Sequence, residues 1–255
     1  MGKKKKDPFC EAVDKFIVKQ TIKENKRYLE RKKKEGTKEG KLANSFSPSF
    51  ISSKECLRSW YYHYLKTPKD PGIDPRLQRI FANGHSMHDR VQAMLQKMGV
   101  LEEEDIEIGI VDDEWMISGR VDGVVKRKKG EEIKRLVLEI KSINAWGFGE
   151  VEKKGPKDEH KRQANIYMWL LDLEEAVIYY ECKNSQQHMS CIIKYSPRMV
   201  QKQIKNKIIK ALEHVKLEES PDVCYNGSIR ECEWCDWKER CQDEGGKRRK
   251  NIIKV

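Results

Sequence analysis

Two carboxylates and one lysine are the residues of this chain whose types and spacing could do chemistry together. Asp122 ends a predicted strand in the sequence GRVDG, and Glu139 and Lys141 end the next strand in LEIK. Residues two apart on a strand face the same side, so Glu139 and Lys141 project together. If the strands pair, Asp122 lies beside Glu139, where two carboxylates bind a hard divalent cation and the lysine orients or deprotonates a water. This set suits metal-assisted hydrolysis of a phosphodiester.

Three further polar residues come in an order that supports this site. His88 lies four residues after Gly84 on the helix before the strands, and Gln163 and Tyr167 lie on the helix that follows them. Gln163 and Tyr167 are four residues apart and therefore share one face of their helix. The order of a histidine, an aspartate, Glu-x-Lys and Gln-x-x-x-Tyr is more informative than any of these residues alone.

This order of motifs resembles the RecB-like branch of the PD-(D/E)XK nuclease superfamily, over roughly residues 46–241. The resemblance implies that Lys141 is the catalytic lysine and that the helix residues shape the site and the DNA path, giving a catalytic set of Asp122, Glu139, Lys141, Gln163 and Tyr167. It also implies a set of metal ligands, namely His88, Asp122, Glu139 and the main-chain carbonyl of Ile140.

The histidine bears on the choice of metal. The expected cofactor is Mn²⁺ or Mg²⁺, and a histidine ligand, which is softer than oxygen, favours Mn²⁺. His85 is an alternative to His88 because both follow Gly84 closely on the same helix. We prefer His88, since it lies four residues from the glycine and His85 only one.

The cysteines suggest a second metal site. Three of the eight cysteines have the spacing C-x2-C-x5-C, namely Cys232, Cys235 and Cys241. A zinc ribbon would show a second C-x2-C pair, so a fourth ligand must come from elsewhere. Cys56 and Cys224 are the two candidates, and we prefer Cys56 because its sequence context also fits the family.

A distant cysteine followed by C-x2-C-x5-C resembles the iron–sulfur subset of these nucleases, which includes the CRISPR-associated iron–sulfur exonucleases and the AddB nuclease domain. The resemblance implies a 4Fe–4S cluster held by four thiolates, those of Cys56, Cys232, Cys235 and Cys241. The C-terminal loop is rich in charge and poor in aliphatic residues, so we expect that without the cluster little holds it down.

Charge is concentrated at the two ends of the chain. The net charge is +11, residues 1–41 carry 15 Lys/Arg against 7 Asp/Glu, and residues 247–255 carry five basic residues and no acid. Basic ends favour a polyanionic partner, and DNA is the first candidate. No stretch approaches the about 20 apolar residues of a membrane span. We expect a soluble, cytoplasmic protein without a membrane partner, in the host cell if it is viral.

The hydrophobic pattern predicts an α/β (α+β) fold with a central mixed sheet flanked by helices. The resemblance implies that this is a restriction-endonuclease-like core, closed by a C-terminal iron–sulfur loop. Alternation of apolar and polar residues predicts strands at 106–110, 115–121, 136–140, 176–181 and 189–195. Helices are predicted at 9–35, from Ser52 or Ser53 to about 65, and at 74–98, 158–173 and 197–216, with Trp146 and Phe148 in a glycine-rich loop. The expected domains are a basic helical arm at 1–45, a nuclease domain at 46–246 and a basic tail at 247–255.

These expectations combine into a functional hypothesis. The chain is interpreted as a Mg/Mn-dependent deoxyribonuclease, an exonuclease that acts on single-stranded DNA or frayed duplex ends through in-line attack by a metal-activated water. Recombination, replication or CRISPR adaptation would supply the context and a protein partner. The alternative is a non-catalytic DNA-binding or assembly subunit that keeps the fold and a structural metal site. The intact Asp122, Glu139 and Lys141 argue against that alternative.

Overall fold

The structure is a computed structural model that describes residues 8–35, 44–70, 72, 74–223 and 230–244. The helices are α1 (Pro8–Glu35), α2 (Pro48–Ser53), α3 (Leu57–Tyr64), α4 (Pro75–Lys97), α5 (Ala145–Lys154), α6 (Asp158–Leu170), α7 (Pro197–Met199), α8 (Asn206–Lys216) and α9 (Arg230–Glu233). The strands are β1 (Ile106–Asp112), β2 (Ile117–Lys129), β3 (Glu132–Ile143), β4 (Glu175–Cys182) and β5 (His188–Lys194). A π-helical segment, Val200–Lys205, joins α7 to α8.

The described residues fall into two units. The first contains α1 and the part of α4 up to Val91, and the second contains the sheet, the rest of α4 and the other helices. The domain boundaries proposed from the sequence stay predictions. The basic tail at 247–255 lies outside the described residues.

The second unit is built on one five-stranded sheet whose strands lie in sequence order, from β1 to β5. Neighbouring strands are antiparallel except for β3 and β4, which are parallel. Parallel neighbours need a long crossover connection, and α5 and α6 supply it here. The predicted fold class, a mixed sheet flanked by helices, is confirmed, and the arrangement is consistent with a restriction-endonuclease-like core.

Two clusters of buried apolar residues hold helices to this sheet. One joins strand residues such as Val137 and Ile178 to Ala164 and Met168 of α6. The other includes Phe46, Trp60 and Ile208 together with further residues of α2, α6, β2 and the π-helical segment. The ring of Pro48 in α2 packs against the backbone of β2, since a Cβ atom at Gly119 would come within 2.6 Å of Pro48 Cδ. Only glycine leaves room for this contact.

The prediction of one helix capped by Ser52 or Ser53 is wrong. Two short helices occupy this region, and Ser47 caps the first, its Oγ accepting a hydrogen bond from the N–H of Phe50 at 3.3 Å. A serine just before a proline is a helix start signal, because proline fits the first helical turn. The backbone then leaves the helical conformation at Lys54, and Cys56 is the residue from which α3 begins.

The prediction of a glycine-rich loop after Lys141 is also wrong, because residues 145–154 form α5. Asn144 caps this helix, with Oδ1 accepting from the N–H of Gly147 at 2.8 Å. Phe148 is buried against the sheet, whereas Trp146 is 66% exposed. The glycines lower the helix propensity of this segment and interrupt its helical pattern of apolar residues. The cap and the buried face of the helix outweigh this local cost of about 1 kcal/mol per glycine.

The first unit contains α1, the described helix of the predicted arm. α1 runs for 28 residues with little apolar surface in contact, and Phe9 and Phe16 are 76% and 60% exposed. Within this unit, Arg79 of α4 donates to Asp14 Oδ1 at 2.5 Å. In the described part of the chain, no helix has the length and apolar character needed to cross a membrane.

Candidate active site and cysteine site

Asp122 and Glu139 meet because of the register between β2 and β3. Gly123 lies opposite Leu138 in this antiparallel pair, so the residue before it on β2 lies beside Glu139. Asp122 Oδ2 also accepts a hydrogen bond from the main-chain N–H of Ile140 at 2.7 Å. The Asp122 carboxylate is therefore fixed against the neighbouring strand, next to a glutamate that is only 1% exposed.

Lys141 lies in the middle of a chain of polar contacts. Its Nζ is 2.5 Å from Glu139 Oε1 and donates to Gln163 Oε1 at 3.0 Å. Burial lowers the pKa of Lys141, but the nearby charges of Glu139 and Asp122 outweigh it, and the pKa is raised above its ordinary value. The side chain is thus an ammonium group held between a carboxylate and an amide.

Gln163 and Tyr167 on α6 fix the other end of this chain of contacts. Gln163 Nε2 donates to the Tyr167 hydroxyl at 3.2 Å, and that hydroxyl donates to the main-chain carbonyl of Arg120 at 2.9 Å. Burial, and then the charge of Glu139, raises the pKa of Tyr167, so its hydroxyl keeps its proton. The structure therefore brings together five residues singled out from the sequence, namely Asp122, Glu139, Lys141, Gln163 and Tyr167.

Glu107 and Gln92 also lie at this site and are missed by the sequence analysis. A carboxylate oxygen of Glu107 lies within 4.8 Å of one of Asp122. Gln92 Nε2 donates to Glu107 Oε1 at 3.1 Å and to the Asp122 carbonyl at 2.8 Å. Glu107 has a φ of 51°, a left-handed conformation that is uncommon for glutamate. The register of β1 with β2 sets Glu107 across from Asp122, and pairing those two strands from the sequence would have revealed it.

The two candidate histidines lie on the part of α4 that belongs to the first unit. His88 is half-buried, whereas His85 is exposed. His88 lies four residues after Gly84 within α4. Its role as a metal ligand stays a prediction.

A neutral histidine flanks the lysine on the β4 side. Tyr180 lies opposite Lys141 in the parallel register of β3 and β4, and its hydroxyl is 2.8 Å from Nδ1 of the buried His160. Burial, and then the charge of Lys141, lowers the pKa of His160 to about 3. This imidazole therefore adds no charge beside the lysine at neutral pH.

The four predicted cluster cysteines converge in the second unit: Cys56, Cys232, Cys235 and Cys241. Burial raises the pKa of the Cys241 thiol, Arg58 lowers it, and the charges of the other three raise it further, so these groups lie within electrostatic reach of one another. Burial also raises the pKa of Cys235, with smaller contributions from Cys56 and Cys232. The competing candidate, Cys224, lies outside the described residues.

We call residues 230–244 the cysteine segment. Contacts of a buried arginine on α3 hold the C-terminal end of this segment. Arg58 is 1% exposed, forms an ion pair with Glu244 at 2.6 Å and donates to the carbonyl of Pro221 at 2.9 Å. Its Nε donates to the Tyr62 hydroxyl at 2.8 Å, and that hydroxyl donates to Glu244 at 2.5 Å. The three partners satisfy the buried guanidinium, as burial of a charge requires.

Further contacts hold the middle of the cysteine segment. Trp237 is 2% exposed and donates from Nε1 to the carbonyl of Thr67 at 3.0 Å. Asp70 Oδ2 accepts from the N–H of Glu239 at 2.7 Å. These contacts are made by the protein's own groups, and the expectation that little but a cluster holds this loop down stays a prediction.

Comparison with protein-family models and with curated proteins gives no match to this chain. Among solved structures, the chain is similar to the crystal structure of SSO0001, with a TM-score of 0.49 and 18% identity over 93% of this chain and 97% of that chain. It is also similar to the alkaline exonuclease LHK-Exo from Laribacter hongkongensis, with a TM-score of 0.48 and 16% identity over 68% of this chain and 89% of that chain. The complex of LHK-Exo with dAMP gives a TM-score of 0.49 at the same identity and coverage. Likeness at this level carries no argument, and the function has to be inferred from the site.

Proposed function

We propose that the second unit is a metal-dependent nuclease that hydrolyses the phosphodiester bonds of DNA. The observation that carries this proposal is the set of contacts around Lys141, whose ammonium group lies between Glu139 and Gln163. Asp122 lies on the adjoining strand, so two carboxylates and a lysine share one site. A structural Glu–Lys pair on a sheet surface would be solvated, whereas Glu139 is 1% exposed.

The oxygen atoms at this site suit a hard divalent cation. Asp122 and Glu139 supply carboxylates, the Ile140 carbonyl lies between Glu139 and Lys141 on β3, and Glu107 lies within reach of Asp122. Mg²⁺ and Mn²⁺ prefer such oxygen ligands. When bound, the cation supplies charge neutralisation at the scissile phosphate and lowers the pKa of a water. We propose His88 as a further ligand, which would favour Mn²⁺.

Lys141 is the group that acts on the attacking water in this proposal. Gln163 accepts one hydrogen bond from its ammonium group, and Tyr167 fixes Gln163 in turn through the contact with the carbonyl of Arg120. A lysine held in this way has one remaining N–H group, which it can donate in a fixed direction, toward the water or a phosphate oxygen. Fixed donors lower the barrier because they need no reorganisation during the reaction.

DNA is the proposed substrate because of the charge of the chain. A net charge of +11 favours a polyanion, and attraction of this kind raises the rate of encounter with nucleic acid. Exonuclease action on single-stranded or frayed ends, in recombination, replication or CRISPR adaptation and with a protein partner, is part of the same proposal.

We further propose that the four converging cysteines bind a 4Fe–4S cluster with a structural role. Thiolate ligands are those that iron–sulfur clusters take, and the family resemblance favours iron over zinc. Arg58 contributes a positive charge beside Cys241, which would offset part of the negative charge of four thiolates.

Cleavage of single-stranded and duplex DNA with Mg²⁺ or Mn²⁺ tests the nuclease proposal. Glu139→Ala and Lys141→Ala should each lower the cleavage rate at least about 100-fold, as expected for loss of a metal ligand or of a group acting on the water. Glu152→Ala and Lys153→Ala alter exposed residues of α5 and are the matched controls, which should cleave at the wild-type rate.

Two outcomes would contradict the proposal. Wild-type cleavage by folded Lys141→Ala protein would remove the lysine from the mechanism. A wild-type protein that binds DNA without cutting it, with either metal, would favour the non-catalytic DNA-binding subunit.

A further inference from the structure

One face of α6 carries three buried polar side chains, and the proposed function uses only two of them. His160, Gln163 and Tyr167 lie at positions i, i+3 and i+7 of this helix and are between 3% and 8% exposed. Residues with this spacing form one stripe along a helix. Gln163 and Tyr167 already belong to the candidate active site, so His160 is the member of this stripe that still needs a role.

Each side chain of the stripe contacts a different strand of the sheet. The three contacts are His160 Nδ1 with the Tyr180 hydroxyl on β4 at 2.8 Å, Gln163 Oε1 with Lys141 Nζ on β3 at 3.0 Å, and the Tyr167 hydroxyl with the Arg120 carbonyl on β2 at 2.9 Å. These strands are consecutive neighbours in the sheet. α6 is therefore fixed across three adjacent strands, and the contact with the lysine lies between the other two.

The hydrogen bonds of Tyr180 define which nitrogen of His160 carries the proton. Tyr180 is fully buried. Burial raises the pKa of its hydroxyl, and a main-chain hydrogen bond with Lys157 lowers it, as an N–H donor does. The hydroxyl accepts from Lys157 and donates its own proton to Nδ1 of His160. The imidazole proton is then on Nε2, which lies 3.5 Å from a carboxylate oxygen of Glu159.

We propose that His160 is a positioning residue of the candidate active site and acts on Lys141 through Gln163. The inference rests on the proposed nuclease function and adds to it a residue that works through another. His160 lies three residues before Gln163, less than one helical turn, so its contact with Tyr180 fixes α6 close to the point where Gln163 meets the lysine. Tyr180 lies opposite Lys141 in the register of β3 and β4, so this anchor lies at the same level of the sheet as the lysine.

Steady-state cleavage by variants of different shape tests the inference. His160→Asn keeps an acceptor where Nδ1 lies, His160→Gln places its amide where Nε2 lies, and His160→Leu fills the space without a polar atom. We expect kcat to fall about 10- to 100-fold in His160→Leu, His160→Gln and Tyr180→Phe, with little change in KM, because a displaced group slows the chemical step. His160→Asn should keep most of the parent kcat. The control His188→Asn, at an exposed position on β5, should leave kcat unchanged.

Two further measurements separate positioning from packing. Because His160 is proposed to act through Gln163, adding His160→Leu to Gln163→Leu should lower kcat no further than Gln163→Leu alone. The position of the lysine is also measured without cleavage, from the NMR signal of the Lys141 ammonium group, which is assigned by its absence in Lys141→Ala. This signal should shift in His160→Leu and stay in place in His160→Asn.

The order of the His160 variants decides the outcome. A packing role predicts a lower kcat in His160→Asn than in His160→Leu, because leucine fills the buried space better than the smaller asparagine, and that order would overturn the inference. Parent kcat in His160→Leu, or an unchanged ammonium signal in that variant, would overturn it as well. If the parent protein cut no DNA with either metal, the proposed function would fail, and the ammonium signal would still show whether His160 positions Lys141.

Discussion

The candidate active site and the cysteine site of the second unit are assembled in different ways. Sheet register and one helix bring the second unit's residues of the candidate active site together, and all of them except Gln92 lie between Glu107 and Tyr167. The cysteine site joins segments that are far apart in sequence, and its tie from Arg58 to Glu244 spans 186 residues. Substitutions at the first site should remove chemistry without unfolding. Substitutions at the second should change stability while the catalytic groups stay in place.

The largest effect is expected from a change of charge alone at the active site. Asp122→Asn keeps an oxygen that can accept from the N–H of Ile140, but it removes the negative charge that binds the cation. Cleavage should fall at least about 100-fold, whereas the unfolding temperature should change by no more than a few degrees. Nuclease assays and thermal unfolding of the same samples measure both. A large loss of stability with residual cleavage would contradict the view that the first site carries the chemistry and the second the stability.

At the cysteine site the largest expected effect comes from Arg58→Met. The substitution leaves Glu244, Tyr62 and the carbonyl of Pro221 without their shared donor. We expect the free energy of unfolding to fall by about 3 kcal/mol. In a protein of this size this corresponds to a fall of about 6 to 12 °C in the unfolding temperature. Arg198→Met, at an exposed position on α7, is the control.

The Arg58→Met comparison should be repeated on iron-depleted protein. The same loss of stability there would show that the protein's own contacts hold the cysteine segment. If iron depletion abolished the difference between Arg58→Met and the parent, the cluster and not the arginine would be the main tie.

Cys56→Ser should have a smaller effect on stability but should remove the cluster. Anaerobically prepared protein should lose its brown colour and its iron, with a fall of about 4 to 8 °C in unfolding temperature, equivalent to about 2 kcal/mol. Cys191→Ser, on β5, should keep the colour. Zinc in place of iron would refute the cluster. Colour retained in Cys56→Ser and lost in Cys224→Ser would assign the fourth ligand to Cys224.

The smallest effect is expected at His88, which lies outside the sheet. His88→Ala should raise the Mn²⁺ concentration needed for half-maximal cleavage about tenfold and weaken the preference for Mn²⁺, with little change in stability. His85→Ala is the matched control on the same helix. Metal titration of cleavage decides between them, and a shift in His85→Ala alone would assign the ligand to His85.

Those parts of the molecule that depend on short-range periodicity could be predicted from the sequence. Alternation in Leu136, Leu138 and Ile140 identifies β3 and fixes the face on which Glu139 and Lys141 lie. The four-residue spacing of Gln163 and Tyr167 on α6 predicts their common direction in the same way. For this reason the fold class and the convergence of the active-site residues are both visible in the sequence.

The remaining features depend on contacts that no local pattern encodes. The left-handed conformation of Glu107 is imposed by its neighbours in the sheet, since glutamate has no preference for it. α5 escapes prediction because its glycines suppress the helical signal that its cap and its buried face restore. The burial of Arg58 with Glu244 is a tertiary contact, and an arginine is expected at the surface when sequence alone is considered.

The tie between Arg58 and Glu244 also has a consequence for synthesis on the ribosome. Glu244 is added 186 residues after Arg58, which takes about 10 to 40 s at translation rates of about 5 to 20 residues per second. During that interval the sheet can already fold. The guanidinium group of Arg58 and the thiol of Cys56 cannot yet contact the cysteine segment, because it has not been synthesised. If the proposed cluster is bound, it would therefore be inserted after the segment around Cys232 to Cys241 is complete, into a chain whose sheet can already have folded.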